Sequence, residues 1–261
     1  MMVRKFSKLE LNYPGSLAVD GVGHIRCPTI SEIVQCRVTL TDDFALWADD
    51  AYNYYLELLV VSKSQVIERF AEHQTEDVLK ELDKLSLFQV LTLIPELREQ
   101  LQAGLNFFFE EDVVYNIELG VFVLYQQYID NVGIIDDENF VNVKNLILQR
   151  CHISPPKITD GKRRSKRMIE FDKKIEKGRK YSNKYKNDQK AMELGNIVSK
   201  VAAQSNAADI NDIYDWTVYQ LYEQFNEINV SIQIDTILNR WSVWGKDNFD
   251  FSIWYKPNNT D

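Results

Sequence analysis

The chain has 261 residues, 45% of them hydrophobic, and a formal net charge of −9, which is enough for one large or two modest folded units. The acidic total argues against a protein that coats nucleic acid, and no apolar run approaches the ~20 residues that span a bilayer. Cys27, Cys36 and Cys151 are an odd, unpatterned set that reads as free thiols of a reducing compartment rather than a disulfide framework.

The first twelve residues alternate charge with single apolar residues, unlike a secretory leader. A β-hairpin is predicted next. Ser16 to Val19 and Val22 to Arg26 flank Asp20-Gly21, a pair suited to a two-residue turn with positive φ. Pro28 ends the second strand, and Thr29 opens a short helix through Ile33 and Val34. From Phe44 the period becomes helical, with Phe44, Trp47, Ala51, Tyr55 and Leu58 behind Asp42-Asp43. Thr75 caps a further helix that carries Val78, Leu79 and Leu82.

Ser86-Leu87-Phe88-Gln89 is a capping box, with Leu85 and Val90 placed as its hydrophobic staple. Thr217-Val218-Tyr219-Gln220 repeats the device, with Trp216 and Leu221 as the pair. Pro95 suits the first turn of a helix whose Leu97, Leu101, Leu105 and Phe108 share a face. Val113 to Tyr115 and Val121 to Tyr125 are β-rich and pair as short strands. Asp136-Asp137-Glu138 puts acids at the start of a helix bearing Phe140, Val143 and Ile147.

Charge then reverses. Residues 157–190 hold fourteen Lys/Arg against five acids, a net +9, so the rest of the chain carries −18. Met168, Phe171 and Ile175 are too thin a stripe to bury, and the segment reads as a solvated linker. Beyond it, 192–201 is mildly helical. Val218 to Ile228 is an amphipathic helix, and a separate one runs from Ile232 toward Trp244, with Gly245 as its stop. The expected architecture is α+β: an N-terminal mixed domain over 1–150, a basic linker over 151–190, and a small helical, aromatic-rich domain over 191–261.

No catalytic pattern emerges. His24-x-x-Cys27 lies on a strand whose alternate side chains face opposite ways, and Cys151-His152 is remote, so no metal site is expected. His24, His73 and His152 sit in no nucleophile arrangement, and Gly21-Val22-Gly23 lacks the third glycine and the helix of a dinucleotide loop. The paired acids read as helix-start charges. We expect no enzyme, no cofactor and no metal. Four of the five tryptophans, Trp216, Trp241, Trp244 and Trp254, fall after residue 215, where a small core cannot easily bury all of them. Tyr219, Tyr222, Phe225, Trp241 and Trp244 are therefore expected to contact a partner. The cluster Lys162, Arg163, Arg164, Lys166 and Arg167 is expected to dock electrostatically.

Three stretches carry a resemblance. One runs from Leu85-Ser86-Leu87-Phe88-Gln89-Val90-Leu91 through Pro95-Glu96-Leu97-Arg98 to Phe107-Phe108-Phe109. The second is Gly133 to Phe140 with Ile147-Leu148-Gln149-Arg150, and the third is Trp216 to Phe225. In this order, with a lysine-rich spacer before the last, they resemble tail-morphogenesis proteins of phages of Gram-positive bacteria, and among those tail assembly chaperones.

The resemblance implies a non-catalytic protein of the host bacterial cytoplasm, with the tape-measure protein and the tail-tube protein as partners. A homo-oligomer stays open, a nucleic-acid or membrane partner is not expected, and the apolar residues above would form the client groove. Two readings from other classes also stay open: a structural tail or connector component of the virion, and a nucleic-acid-binding regulator that uses the 157–190 stretch.

Overall fold

The computed structural model describes residues 4–70, 76–126, 129–154, 193–205 and 209–244. The fold is α+β, with helices gathered around small antiparallel sheets. Helix α1 (Lys8–Asn12) precedes a hairpin of β1 (Leu17–Val19) and β2 (Gly23–Ile25). Val19 pairs with Gly23, so the loop is Asp20-Gly21-Val22, one residue longer than the expected turn, and Gly21 supplies its positive φ of 72°. Thr29 caps α2 (Ile30–Gln35) through a full capping box with Glu32.

Phe44 and Trp47 do not begin a helix: β3 (Arg37–Thr41) and β4 (Phe44–Trp47) form a second hairpin, and α3 (Ala48–Val60) starts after it. Phe44 and Trp47 fit the helical spacing of Ala51 and Tyr55 by coincidence, and Asp42-Asp43 occupies the hairpin turn instead of a helix start.

Helices α4 (Lys63–Phe70), α5 (Glu76–Lys84), α6 (Leu87–Leu93) and α7 (Pro95–Phe108) lead into the sheet of β5 (Asp112–Asn116), β6 (Val121–Gln126) and β7 (Ile129–Ile135). The Ser86 box and the Pro95 start both form as expected. β7, which carries Asn131 and Gly133 and lacks a clean alternation, has no counterpart among the expected strands. Gly133 lets the first hairpin cross it closely: a Cβ there would run into the Val22 carbonyl, and Ile134 donates to Gly21 at 3.1 Å. Helix α8 (Phe140–Arg150) closes this part.

After the basic stretch, which lies outside the described residues, come α9 (Leu194–Gln204), α10 (Ile210–Tyr214) and α11 (Val218–Trp244). The two expected helices after Trp216 are one continuous helix of 27 residues, roughly 40 Å long. No Gly or Pro falls between Ile228 and Ile232 to break it.

Residues from both ends of the chain share one core. Ile197, Val201, Ile213, Val218 and Leu221 are buried in the same cluster as Ile25, Phe108, Phe122 and Ile147. The strand-like run 216–218 is stitched to the N-terminal part: Ile30 donates to Trp216 at 3.0 Å, Val218 donates to Pro28 at 3.0 Å, and Thr29 bridges Thr217.

Candidate interaction surfaces along helix α11

Helix α11 begins with its predicted capping box. The Thr217 N–H donates to Gln220 Oε1 at 3.0 Å, and the Gln220 N–H donates to Thr217 Oγ1 at 3.3 Å. The box fixes where the helix starts, and therefore which side chains face the body of the protein. Val218, Tyr219, Leu221 and Phe225 are buried, and Tyr222 and Ile228 pack against the core from its edge. Among the described residues, nothing of α11 beyond Ile228 joins that core.

The polar side of this inner half meets α1 and the end of α8. Lys8 Nζ lies 2.6 Å from Glu223 and 3.7 Å from Glu227. The hydrogen bond to Glu223 holds the Lys8 ammonium above its ordinary pKa despite partial burial. His152 stacks on Tyr222 with centroids 5.6 Å apart, tilts against Tyr219 at 5.2 Å, and places Nε2 3.5 Å from Glu223. It ends α8 at φ 57°, the left-handed position that glycine usually fills, with Ile153 donating back to Leu148 at 2.9 Å. Burial pushes the Tyr219 and Tyr222 phenols up. With the phenols neutral and the carboxylates paired, this cluster is built to join elements rather than to exchange protons.

The outer half differs. At about 100° per residue, Val218, Leu221, Phe225 and Ile228 fall within roughly 80° of one another on one side of the helix. Val230, Ile234, Ile237, Leu238 and Trp241 fall within roughly 100° on the opposite side. The apolar face thus changes sides near Val230, and over its whole length α11 has almost no amphipathic bias because the halves cancel. Val230, Ile234, Ile237 and Leu238 are half-buried, and Trp241 is 49% exposed. Positions 230, 234, 237, 241 and 244 alternate by four and three, the spacing of a coiled-coil seam.

These positions redistribute the residues singled out from sequence. Tyr219 and Phe225 lie inside the protein's own core, which corrects their expected place on a partner surface. Helical aromatics at the start of a capped, docked helix are drawn inward by the apolar surface they remove from water. Tyr222 is half-buried under His152. Trp241 is on the surface, and Trp244 is the last residue of the helix. The Lys162–Arg167 cluster lies outside the described residues. The aliphatic stripe of Val230, Ile234, Ile237 and Leu238 lies outside the residues expected from sequence, which are aromatic. Its four-three spacing was the available signal.

Other expected features have plain locations. All three cysteines are free and buried. Cys27 Sγ donates to the Arg150 carbonyl at 2.8 Å, and burial raises the Cys27 and Cys151 thiols above their ordinary range. Among the described residues, no group of three or more His, Cys, Asp or Glu could hold a metal ion, and no helix is long and apolar enough to cross a membrane.

No curated protein and no solved structure matches the chain. Residues 184–259, a span that includes α9, α10 and α11, match the family model of the YomV second domain, a phage-associated family, and on that ground the chain is a phage-related protein.

Proposed function

We propose that the chain is a non-catalytic phage tail assembly chaperone that holds a helical client along the outer half of α11. The observation that carries this reading is the relocated apolar stripe. A helix anchored in the core by Val218, Leu221 and Phe225 extends beyond it and offers Val230, Ile234, Ile237 and Trp241 on its other side. A seam with four-three spacing takes another helix as its partner, each side chain seating between side chains of the facing helix. The sequence resemblance to tail assembly chaperones and the phage-associated family match support the setting. On this reading the tape-measure protein, or the tail-tube protein, is the client, in the cytoplasm of the host.

The test is co-expression with the neighbouring tape-measure and tail-tube proteins, followed by pull-down. Capture by the full chain that is lost with Ile237→Asp, at unchanged melting temperature, supports the reading. If the well-folded chain captures neither protein and instead copurifies with finished particles, it is a virion component and the chaperone reading fails.

A further inference from the structure

A cleft of about 310 Å³ lies away from the α11 stripe, between α2, the start of α3 and the α9–α10 pair. Ile30 and Ile33 are buried in its wall, whereas Val34 and Trp47 stand at it 54% and 58% exposed. Tyr214 and Leu194 line the far side. An exposed tryptophan among other exposed apolar side chains is costly to leave in water and is what interface anchors are made of. The backbone that presents it is unusual as well. Ala48, the next residue, sits at φ 45°, a conformation non-glycine residues seldom adopt, and its N–H donates to the Cys36 carbonyl at 3.0 Å.

The rim of the cleft is acidic. Asp49 and Asp50, in the first turn of α3, line it, and Glu193, the N-cap of α9 beside the lining Leu194, is close enough to repel Asp49. Each helix start carries roughly half a positive charge, so three carboxylates facing two helix starts leave a surplus of roughly two negative charges. Arg37, whose guanidinium lies 4.7 Å over the Trp47 ring, reduces it to roughly one and shows that the indole face accepts a cation. Burial pushes the Asp49 carboxyl up, and repulsion from Asp50 and Glu193 adds to it. A guest cation would relieve a repulsion already present.

We propose that this cleft docks a cationic segment of a partner protein, with one or two bulky apolar side chains between Val34, Trp47 and Tyr214 and flanking Lys or Arg against Asp49, Asp50 and Glu193. The acidic rim repels nucleic acid and anionic lipid alike. The folded part of a second copy, −18 outside its basic stretch, is repelled in the same way, and the chain's own basic stretch is the competitor that the experiment below separates. The inference is independent of the chaperone reading and stands or falls without it.

The experiment uses the full chain and a fluorescein-labelled 16-residue amphipathic peptide with Leu and Phe on one face and Lys elsewhere, followed by anisotropy. A matched peptide with Glu in place of every Lys is the control. The Lys peptide should bind and the Glu peptide should not. Trp47→Ala with Val34→Ser should weaken binding at least about tenfold, as loss of an interface anchor does, with the melting temperature kept. Asp50→Asn with Glu193→Gln should weaken it and flatten its salt dependence.

Ile117→Ser, on the exposed β5–β6 turn, should leave it unchanged. Binding that survives the Trp47/Val34 change within about twofold would be surface stickiness and would overturn the proposal. So would binding seen only after Lys162, Arg163, Arg164, Lys166 and Arg167 are all changed to Gln, which would hand the cleft to the chain's own basic stretch.

Discussion

The side-chain amide of Gln220 donates to the backbone carbonyl of Asn12 at 2.8 Å, across 208 positions of sequence. The same side chain closes the capping box with Thr217 through its Oε1. One residue therefore both starts α11 and ties it to the end of α1. Gln220→Ala should lower unfolding free energy by about 1–2 kcal/mol in urea titration, a lost cap plus a lost hydrogen bond. Gln220→Glu keeps the capping oxygen and removes the donor to Asn12, so it should cost less than the alanine. Equal costs would mean that the capping oxygen contributes nothing, and a Glu variant as stable as the wild type would mean the same of the Asn12 contact.

Arg150 has the same pinning role on a larger scale. It is fully buried, and its guanidinium donates to the carbonyls of Glu10, Leu11, Tyr13 and Gly15 at 2.6–3.2 Å. Nε has no partner, so the fork is held by carbonyls alone and burial lowers its pKa. Arg150→Met should cost at least about 3 kcal/mol, because several buried carbonyls lose their donors together. Segment 4–15 should then become the first site of limited proteolysis. Arg150→Lys should recover only part of the loss, since an ammonium cannot span the same fork.

Lys144 gives a pH signature. It is 4% exposed, donates to the Val61 carbonyl at 2.7 Å, and burial lowers its pKa from 10.5 to about 8. Between these values the unfolded chain holds a proton that the native state does not. Stability from this group is therefore present in full above 10.5 and lost as pH falls through about 8. From pH 7 to 9 the wild type should gain roughly 1 kcal/mol of stability relative to Lys144→Met. The window stops at 9 because buried thiols and phenols such as Cys151 and Tyr52, pushed up by burial, act in the opposite direction above it. Parallel pH profiles for the two proteins would remove Lys144 as the cause.

What could be read from sequence follows the reach of the signals. Capping boxes at Ser86 and Thr217 and the proline at 95 are local chemistry, and the helices start where they indicate. The acids at 136–138 fall before the Asn139 N-cap of α8, whose first turn has no acid. The box at Thr29 with Glu32 is equally local, and its glutamate completes the cap that Thr29 alone indicates. Long-range facts left no such mark. Nothing near Thr217 announces that it bridges Thr29, and nothing near Arg150 announces the carbonyls around residue 12. The β3–β4 hairpin was hidden because Phe44 and Trp47 also satisfy a helical period. In α11, two opposed apolar faces in succession read as two helices, although the backbone has no reason to break.

That change of face makes a sharp contrast testable. Phe225 is buried in the inner half, so Phe225→Ala should lower stability by about 3 kcal/mol or more, the usual cost of an aromatic cavity. Any loss of client capture should then track unfolding. Trp241 is half-exposed in the outer half and does not belong to the described core. Trp241→Ala should leave the melting temperature within a degree or two and still reduce capture of a helical client, with Ile237→Ser adding to the loss. Capture assays at matched folded fractions separate the two effects. If Trp241→Ala and Ile237→Ser together leave capture intact, the outer stripe is not the client surface, and the relocated face of α11 must serve another contact.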